Sequence, residues 1–186
     1  MTEALTADIP GDEVVLVDEN DHPLGVTTKL PPHQNGGRLH RAFSVFLFNR
    51  NGQMLLQRRA AGKYHFAKLW TNACCSHPRL NRAVIDEAAA RLRYELGIEV
   101  PLSPLFTFIY RADDPASGLT EHELDHVFTG RFDGEPIPRS TEVMDWKWVD
   151  PRDLQADVAA QPQNYTPWFK FVLERVLASV GARKND

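Results

Sequence analysis

Cysteine is scarce in this chain: there are two, Cys74 and Cys75, and they are adjacent. Neighbouring cysteines can bridge only with strained geometry, so a disulfide framework is excluded and both thiols are expected to be free. Basic residues are not in excess either. Lys and Arg number 21 against 25 Asp and Glu, a formal net charge of -4. That balance lacks the basic stripe of a nucleic-acid binder, and no nucleic-acid partner is expected. No apolar run approaches the roughly 20 residues that span a bilayer, so no membrane association is expected. The first basic residue is Lys29, whereas a secretory leader carries positive charge near its start. The final Lys184, Asn185 and Asp186 are no peroxisomal address. With free thiols, these absences point to a cytoplasmic protein. Internal repeats, a P-loop and a G-x-G-x-x-G signature are also missing.

What is there suits one globular domain. The chain has 186 residues, and its hydrophobic share of 42% is enough to bury a core without cross-links. Nothing in it specifies an oligomer, and a monomer is the expectation. Residues 1–12 read as a loose polar tail, 13–180 as the domain, and 181–186 as a second polar tail. Glu13–Val17 reads as a strand, with a turn at Asn20, Asp21 and Pro23 and a return at Gly25–Thr28. Pro31, Pro32, Gly36 and Gly37 argue against regular structure between them. Ala42–Phe48 and Met54–Gln57 flank Asn51-Gly52, a strong hairpin signal. Residues 60–81 lack periodicity and read as a long functional loop. Ala83–Leu96 is the clearest helix, with Ala88, Leu92 and Leu96 at four-residue spacing and Gly97 to stop it. Further strands are expected at Leu105–Tyr110, Glu121–Phe132 and Val143–Val149. A short helix is expected from Pro151, and a last one over Trp168–Val180. Strands with interspersed helices make a mixed α/β domain.

Four constellations could carry chemistry. His33, His40 and His77, with Glu121 and Glu123 on one face of a strand, are a metal-ligand set by type. Scattered histidines are more often surface or satisfied core groups, so spacing leaves both readings open. His122 and His126 fall on the opposite strand face and are set aside. Cys74 and Cys75 precede His77 in a loop, where an imidazolium or a metal could activate a thiol, or where both could simply be buried. Lys29, Arg59, Lys63 and Arg91 are dispersed basic residues. Glu87, Arg91 and Glu95 share a helix face, either as a surface ion-pair ladder or with Arg91 on phosphate and Glu95 on magnesium. Tyr110 and Trp168 are types usually spent on packing, although an indole face can also stabilise a cation.

Several strings resemble type I isopentenyl-diphosphate isomerases. TNACCSHP, Thr71–Pro78, is similar to that family's cysteine motif, with Ala73 in place of a small polar residue. GLTEHE, Gly118–Glu123, resembles its paired-glutamate strand, and LRYELG, Leu92–Gly97, its helix end. Lys29, His33, His40 and Pro167-Trp168 fall in the family order, and the resemblance runs from about Glu13 to about residue 175. It implies a single-domain, Nudix-like α/β/α sandwich with a mixed sheet. It also implies one Mn2+, Zn2+ or Mg2+ at His33, His40, His77, Glu121 and Glu123, and a Mg2+ near Glu95 that arrives with a diphosphate substrate. Lys29, Arg59, Lys63, Ser76 and Arg91 would bind that substrate. Cys75 and Glu123, with Tyr110, would move protons, while Trp168 faces a carbocation. Cys74 holds a position that varies in the family.

The hydrolase box of the wider superfamily, G-x5-E-x7-R-E-U-x-E-E-x-G-U, is degraded here. Aligned on Gly97, it meets Ala90, Arg91 and Tyr94 where it needs Arg, Glu and Glu, and only Glu95 survives. The rival readings are a diphosphate hydrolase, against which the box argues, and a non-enzymatic zinc-binding domain. The latter would favour four ligands rich in cysteine.

Overall fold

The most apolar stretch of the chain becomes the centre of the sheet. In the computed structural model, which describes residues 13–63 and 65–182, strand β3 spans His40–Phe48 and is buried from Ala42 to Phe48. Such a run makes sense only if both faces are covered. They are: Phe46 and Phe48 belong to one core, whereas Phe43, Val45 and Leu47 belong to another. Full burial of each such side chain contributes roughly 1.5–3 kcal/mol relative to exposure.

Among the described residues, nine strands form one mixed sheet. β1 (Glu13–Val17) and β2 (Pro23–Thr28) are an antiparallel hairpin. β4 (Met54–Arg59) returns from β3 through Asn51-Gly52, as that dipeptide predicts, with Phe48 paired to Met54. β5 (Trp70–Thr71) and β6 (Cys74–Ser76) follow. The segment 60–81 is therefore not wholly a loop. Strands of two and three residues are too short to show alternation, which is why periodicity misses them. β6 lies antiparallel to β3, with Ser44 opposite Cys75. β7 (Leu102–Asp113) and β8 (Thr120–Arg131) are a long hairpin, and β8 runs parallel to β3 on its other edge. β9 (Val143–Val149) pairs with β4.

The helices cover opposite faces. α1 (Val84–Leu96) packs Ala88, Leu92 and Leu96 into the core that holds Phe43 and Val45. It stops at Gly97, whose φ of 66° is left-handed and whose N–H caps the Arg93 carbonyl. α2 (Pro151–Ala160) and α3 (Pro167–Ala182) cover the other face through Leu154, Phe169, Val172 and Val176. The result is the expected α/β/α sandwich. α3 runs on to Ala182, past the expected end at residue 180, while the expected tail 1–12 and residues 183–186 lie outside the described residues. Pro31–His33 forms one turn of 3₁₀ helix where none was expected. Proline suits its first positions because the missing N–H would be unsatisfied there anyway. Among the described residues, no helix is long and apolar enough to cross a membrane.

Candidate active site

Strand register builds the first part of the site. His40 of β3, Glu123 of β8 and Tyr110 of β7 lie abreast on three neighbouring strands. Glu121 is two residues from Glu123 and so points to the same face. His33 arrives from the 3₁₀ turn and His77 directly after β6. The loop between His33 and His40 presses on β8 at Gly37, where a Cβ would meet the Thr120 methyl at 2.8 Å. Its φ of 76° likewise favours glycine.

His33, His40, His77, Glu121 and Glu123 are all buried, and one ligand atom from each lies within 4.8 Å of the others. His33 Nδ1 lies 2.6 Å from the Lys29 carbonyl and His40 Nδ1 2.8 Å from that of Arg38. Each Nδ1–H donates outward, so each Nε2 presents a lone pair inward. Those lone pairs face carboxylate oxygens: His33 Nε2 to Glu121 at 3.0 Å and His40 Nε2 to Glu123 at 3.4 Å. Acceptor facing acceptor calls for a positive charge between them, a proton or a metal ion; at His33, burial pushes the imidazole pKa down but Glu121 outweighs it and raises it. Separate protons would put like charges on imidazoles whose centroids are 4.7–5.6 Å apart. Burial also resists charging His77, whose pKa falls to about 3. One divalent ion would offset the charge of both carboxylates and accept the imidazole lone pairs, so the residues fit a metal centre.

The two glutamates stay ionised despite burial. Desolvation and the neighbouring Glu121 push the Glu123 carboxyl up, but His40 and His77 outweigh them and hold it low. Tyr110 donates to Glu123 at 2.5 Å. Burial and the charge of Glu123 push that phenol well up, so it remains a proton donor. Cys75 sits across β3 from Glu123, on β6. Burial drives its thiol to about 12, even though Arg59 lies 4.0 Å from the sulfur. Cys74 points the other way, into the α1 core. The pair thus splits, one thiol to each face of the sheet, as strand alternation requires.

The dispersed basic residues converge. Lys29, Arg59, Lys63 and Arg91 line the same cleft as Cys75, Ser76, Tyr110, Glu123 and Trp168. Burial and repulsion from Lys63, Arg91 and Arg59 push the Lys29 pKa down. Arg59 sits at a β-bulge in β4, which turns its side chain inward. Its guanidinium lies 5.3 Å from the Trp168 ring centre, so that indole face already accommodates a cation. The Trp168 Nε1–H has no acceptor among the described residues.

The helix-face trio corrects one expectation. It is not a surface ladder, since Glu87, Arg91 and Glu95 are all buried. Glu87 pairs with Arg79, at 2.7 Å. Arg91 holds Glu95 at 2.7 Å and Glu142 at 2.7 Å, and Lys63 also pairs with Glu142. Glu95 stands behind Arg91, apart from the five-donor cluster, with its second oxygen accepting from Gln57 at 3.0 Å. The setting aside of His126 stands: it pairs with Asp21 on the other face, at 2.9 Å. Sequence reasoning missed Glu142 and His65, the latter buried and bonded to Glu121. Neither carries a local signal, because each meets its partner only in the folded chain.

A model of the NUDIX domain matches residues 38–169. The isopentenyl-diphosphate Delta-isomerase 2 of Photorhabdus laumondii is 50% identical over 163 residues, covering 87% of this chain and 91% of that protein. The isopentenyl-diphosphate Delta-isomerase 2 of Aromatoleum aromaticum is 48% identical over 167 residues, covering 90% and 87%. Among solved structures, the Deinococcus radiodurans protein DR0079 superposes with a TM-score of 0.72 over 88% of this chain and 98% of its own. At 23% identity that likeness speaks for the fold alone. With most of its length shared with these isomerases, and with their cysteine and paired-glutamate motifs brought to one cleft, the chain belongs to the isopentenyl-diphosphate Delta-isomerase family of the NUDIX fold.

Proposed function

We propose that this chain interconverts isopentenyl and dimethylallyl diphosphate by adding one proton and removing another. The observation that carries this reading is that Cys75 and the Tyr110–Glu123 pair flank β3 from opposite edges and line one cleft. A 1,3-proton shift needs a proton handler on each side of a five-carbon unit. As the alkene takes a proton at its terminal carbon, a C–H bond forms and the S–H or O–H bond of the donor breaks. The resulting tertiary cation loses a proton from C2 to the opposite group, and those electrons become the new double bond. Cys75 and Glu123 exchange roles with direction. Each turnover leaves the proton on the opposite wall, so solvent must return it before the next.

The Trp168 face stabilises the cation without offering a lone pair that would be alkylated. Lys29, Arg59, Lys63, Ser76 and Arg91 hold the diphosphate and so fix the alkene between the two handlers. A manganese, zinc or magnesium ion at the three histidines and two glutamates would supply the positive charge that tunes the acidity of Glu123. A magnesium that accompanies the diphosphate would be held by Glu95. Hydrolysis fits poorly, because α1 offers Arg91 and Tyr94 where a hydrolase needs carboxylates. Tyr94 instead lies under the guanidinium of Arg139, 4.1 Å away.

The test is proton NMR of isopentenyl diphosphate with the protein and Mg2+ in deuterated water. Dimethylallyl diphosphate with deuterium in its new methyl group is the expected product. Release of inorganic phosphate, or an unchanged spectrum with metal bound, would overturn the proposal.

A further inference from the structure

We infer that His65 is a positioning residue for the metal centre: it holds the outer oxygen of Glu121, so that the other oxygen alone faces the ion. The inference rests on the metal-dependent reading above and adds a residue to it.

Geometry carries the argument. His65 is buried, and its Nε2 donates to Glu121 Oε1. The other oxygen, Oε2, is the one that faces His33 Nε2 at 3.0 Å. The two carboxylate oxygens therefore divide their work, one to His65 and one to the cluster. His65 itself falls outside the five-donor group. A buried carboxylate that is free to rotate could offer either oxygen or both; with Oε1 tied, it offers one in a fixed direction.

The backbone that delivers His65 is unusual. Phe66 and Lys68 have φ of 46° and 64°, left-handed values that are uncommon without glycine. Such conformations persist only where the surroundings hold them. Here the Phe66 N–H donates to Asp114 at 3.1 Å. The carbonyls of Phe66 and His65 accept from Arg59 at 3.1 and 3.2 Å. The Phe66 ring meets Trp168 edge-on, with centroids 5.5 Å apart. This corner touches the metal cluster, the phosphate-binding arginine and the indole at once.

The test uses the full chain, with Mn2+ alone titrated against a chromogenic chelator, so that no substrate or turnover enters the readout. Wild type is expected to bind one Mn2+ in the cluster. His65→Ala is expected to weaken that binding by about 10- to 100-fold, as loss of partners to ligands does elsewhere. His65→Gln places an amide nitrogen near Nε2 and should restore affinity to within about threefold, whereas His65→Asn reaches only the Nδ1 position and should not. The Gln and Asn variants decide the matter even if the alanine variant fails to fold. Equal Mn2+ affinity in wild type, Gln and Asn variants overturns the role of His65 and leaves the isomerase reading intact. A wild type that binds no Mn2+ overturns this inference and the metal centre together, while the alkene NMR judges the isomerase activity separately.

Discussion

The two ends of the cleft are built by different means. At one end, imidazoles and carboxylates are set by strand register, with His40, Glu123 and Tyr110 abreast on β3, β8 and β7. Moving any of them would mean slipping a strand, which would turn its core residues outward as well. At the other end, four cations come from a strand end, a bulge, a loop and a helix. Two of them, Lys63 and Arg91, are held there by side-chain ion pairs to Glu142 and Glu95, and Arg59 by the carbonyls of His65 and Phe66. An incoming diphosphate can exchange with such pairs, but it cannot exchange with a backbone ladder. The difference gives the His/Glu end rigidity and the cationic end replaceable charge, as the proposed reaction would need of them.

The comparison is sharpest at the proposed proton handlers. Cys75→Ala should lower turnover by about 10²–10⁴-fold, the range for loss of an acid–base group. Circular dichroism should be unchanged; near-normal turnover would remove Cys75 from the chemistry. Glu123→Gln should lose as much and should also lower metal content in elemental analysis. Normal metal content with lost turnover would confine Glu123 to proton transfer.

Protonation of the thiol gives a second test. A Cys75 pKa of about 12 against the ordinary 9 leaves about 10³-fold less thiolate at pH 8, because each unit above the pH is tenfold. Alkylation by iodoacetamide should be slow at pH 8 and still rising at pH 11, where a plain cysteine has levelled off. A plateau near pH 9 would show that the thiol is not held neutral by burial.

At the binding end, the effect should fall on affinity. Arg91→Ala should raise KM by about 10-fold or more with a smaller change in kcat. It should also cost about 3 kcal/mol of stability in denaturant titration, because Glu95 and Glu142 lose a buried partner. A fall in kcat alone would place Arg91 with the reacting groups. The smallest effect belongs to Cys74→Ala, which faces the α1 core. Turnover should stay within about twofold and stability should drop by about 1 kcal/mol. A large loss of activity would mean that the two thiols had been assigned the wrong way round.

The sequence made the periodic parts legible. α1 was readable because its stripe and its glycine stop are local, and Val143–Val149 was read to the residue. That His33, His40, His77, Glu121 and Glu123 would meet, and that Cys75 would line the same cleft, was legible through motifs, not spacing, since His33 and Glu121 are far apart in the chain. What stayed hidden was whatever depends on a distant partner. The parallel pairing of β3 with β8 has no local mark. Lys63 and Arg91 look solvated until Glu142 is brought to them from the turn before β9. His65 looks like a surface residue until its corner folds against Glu121. β5 and β6 were too short to show a period.

The pairing of β3 with β8 has a consequence for how the chain assembles. Parallel neighbours cannot be joined by a tight turn, so this contact spans a long stretch of chain and is expected to form slowly. The five donors come from both strands and from the segments around them, and they meet only when that closure is in register. A complete ligand set would therefore be offered only by a chain in the right alignment, and an ion bound there would draw that chain away from the unfolded state. A metal bound at these five donors would thus read strand alignment as well as serve the site, because a misaligned chain would offer it no complete ligand set.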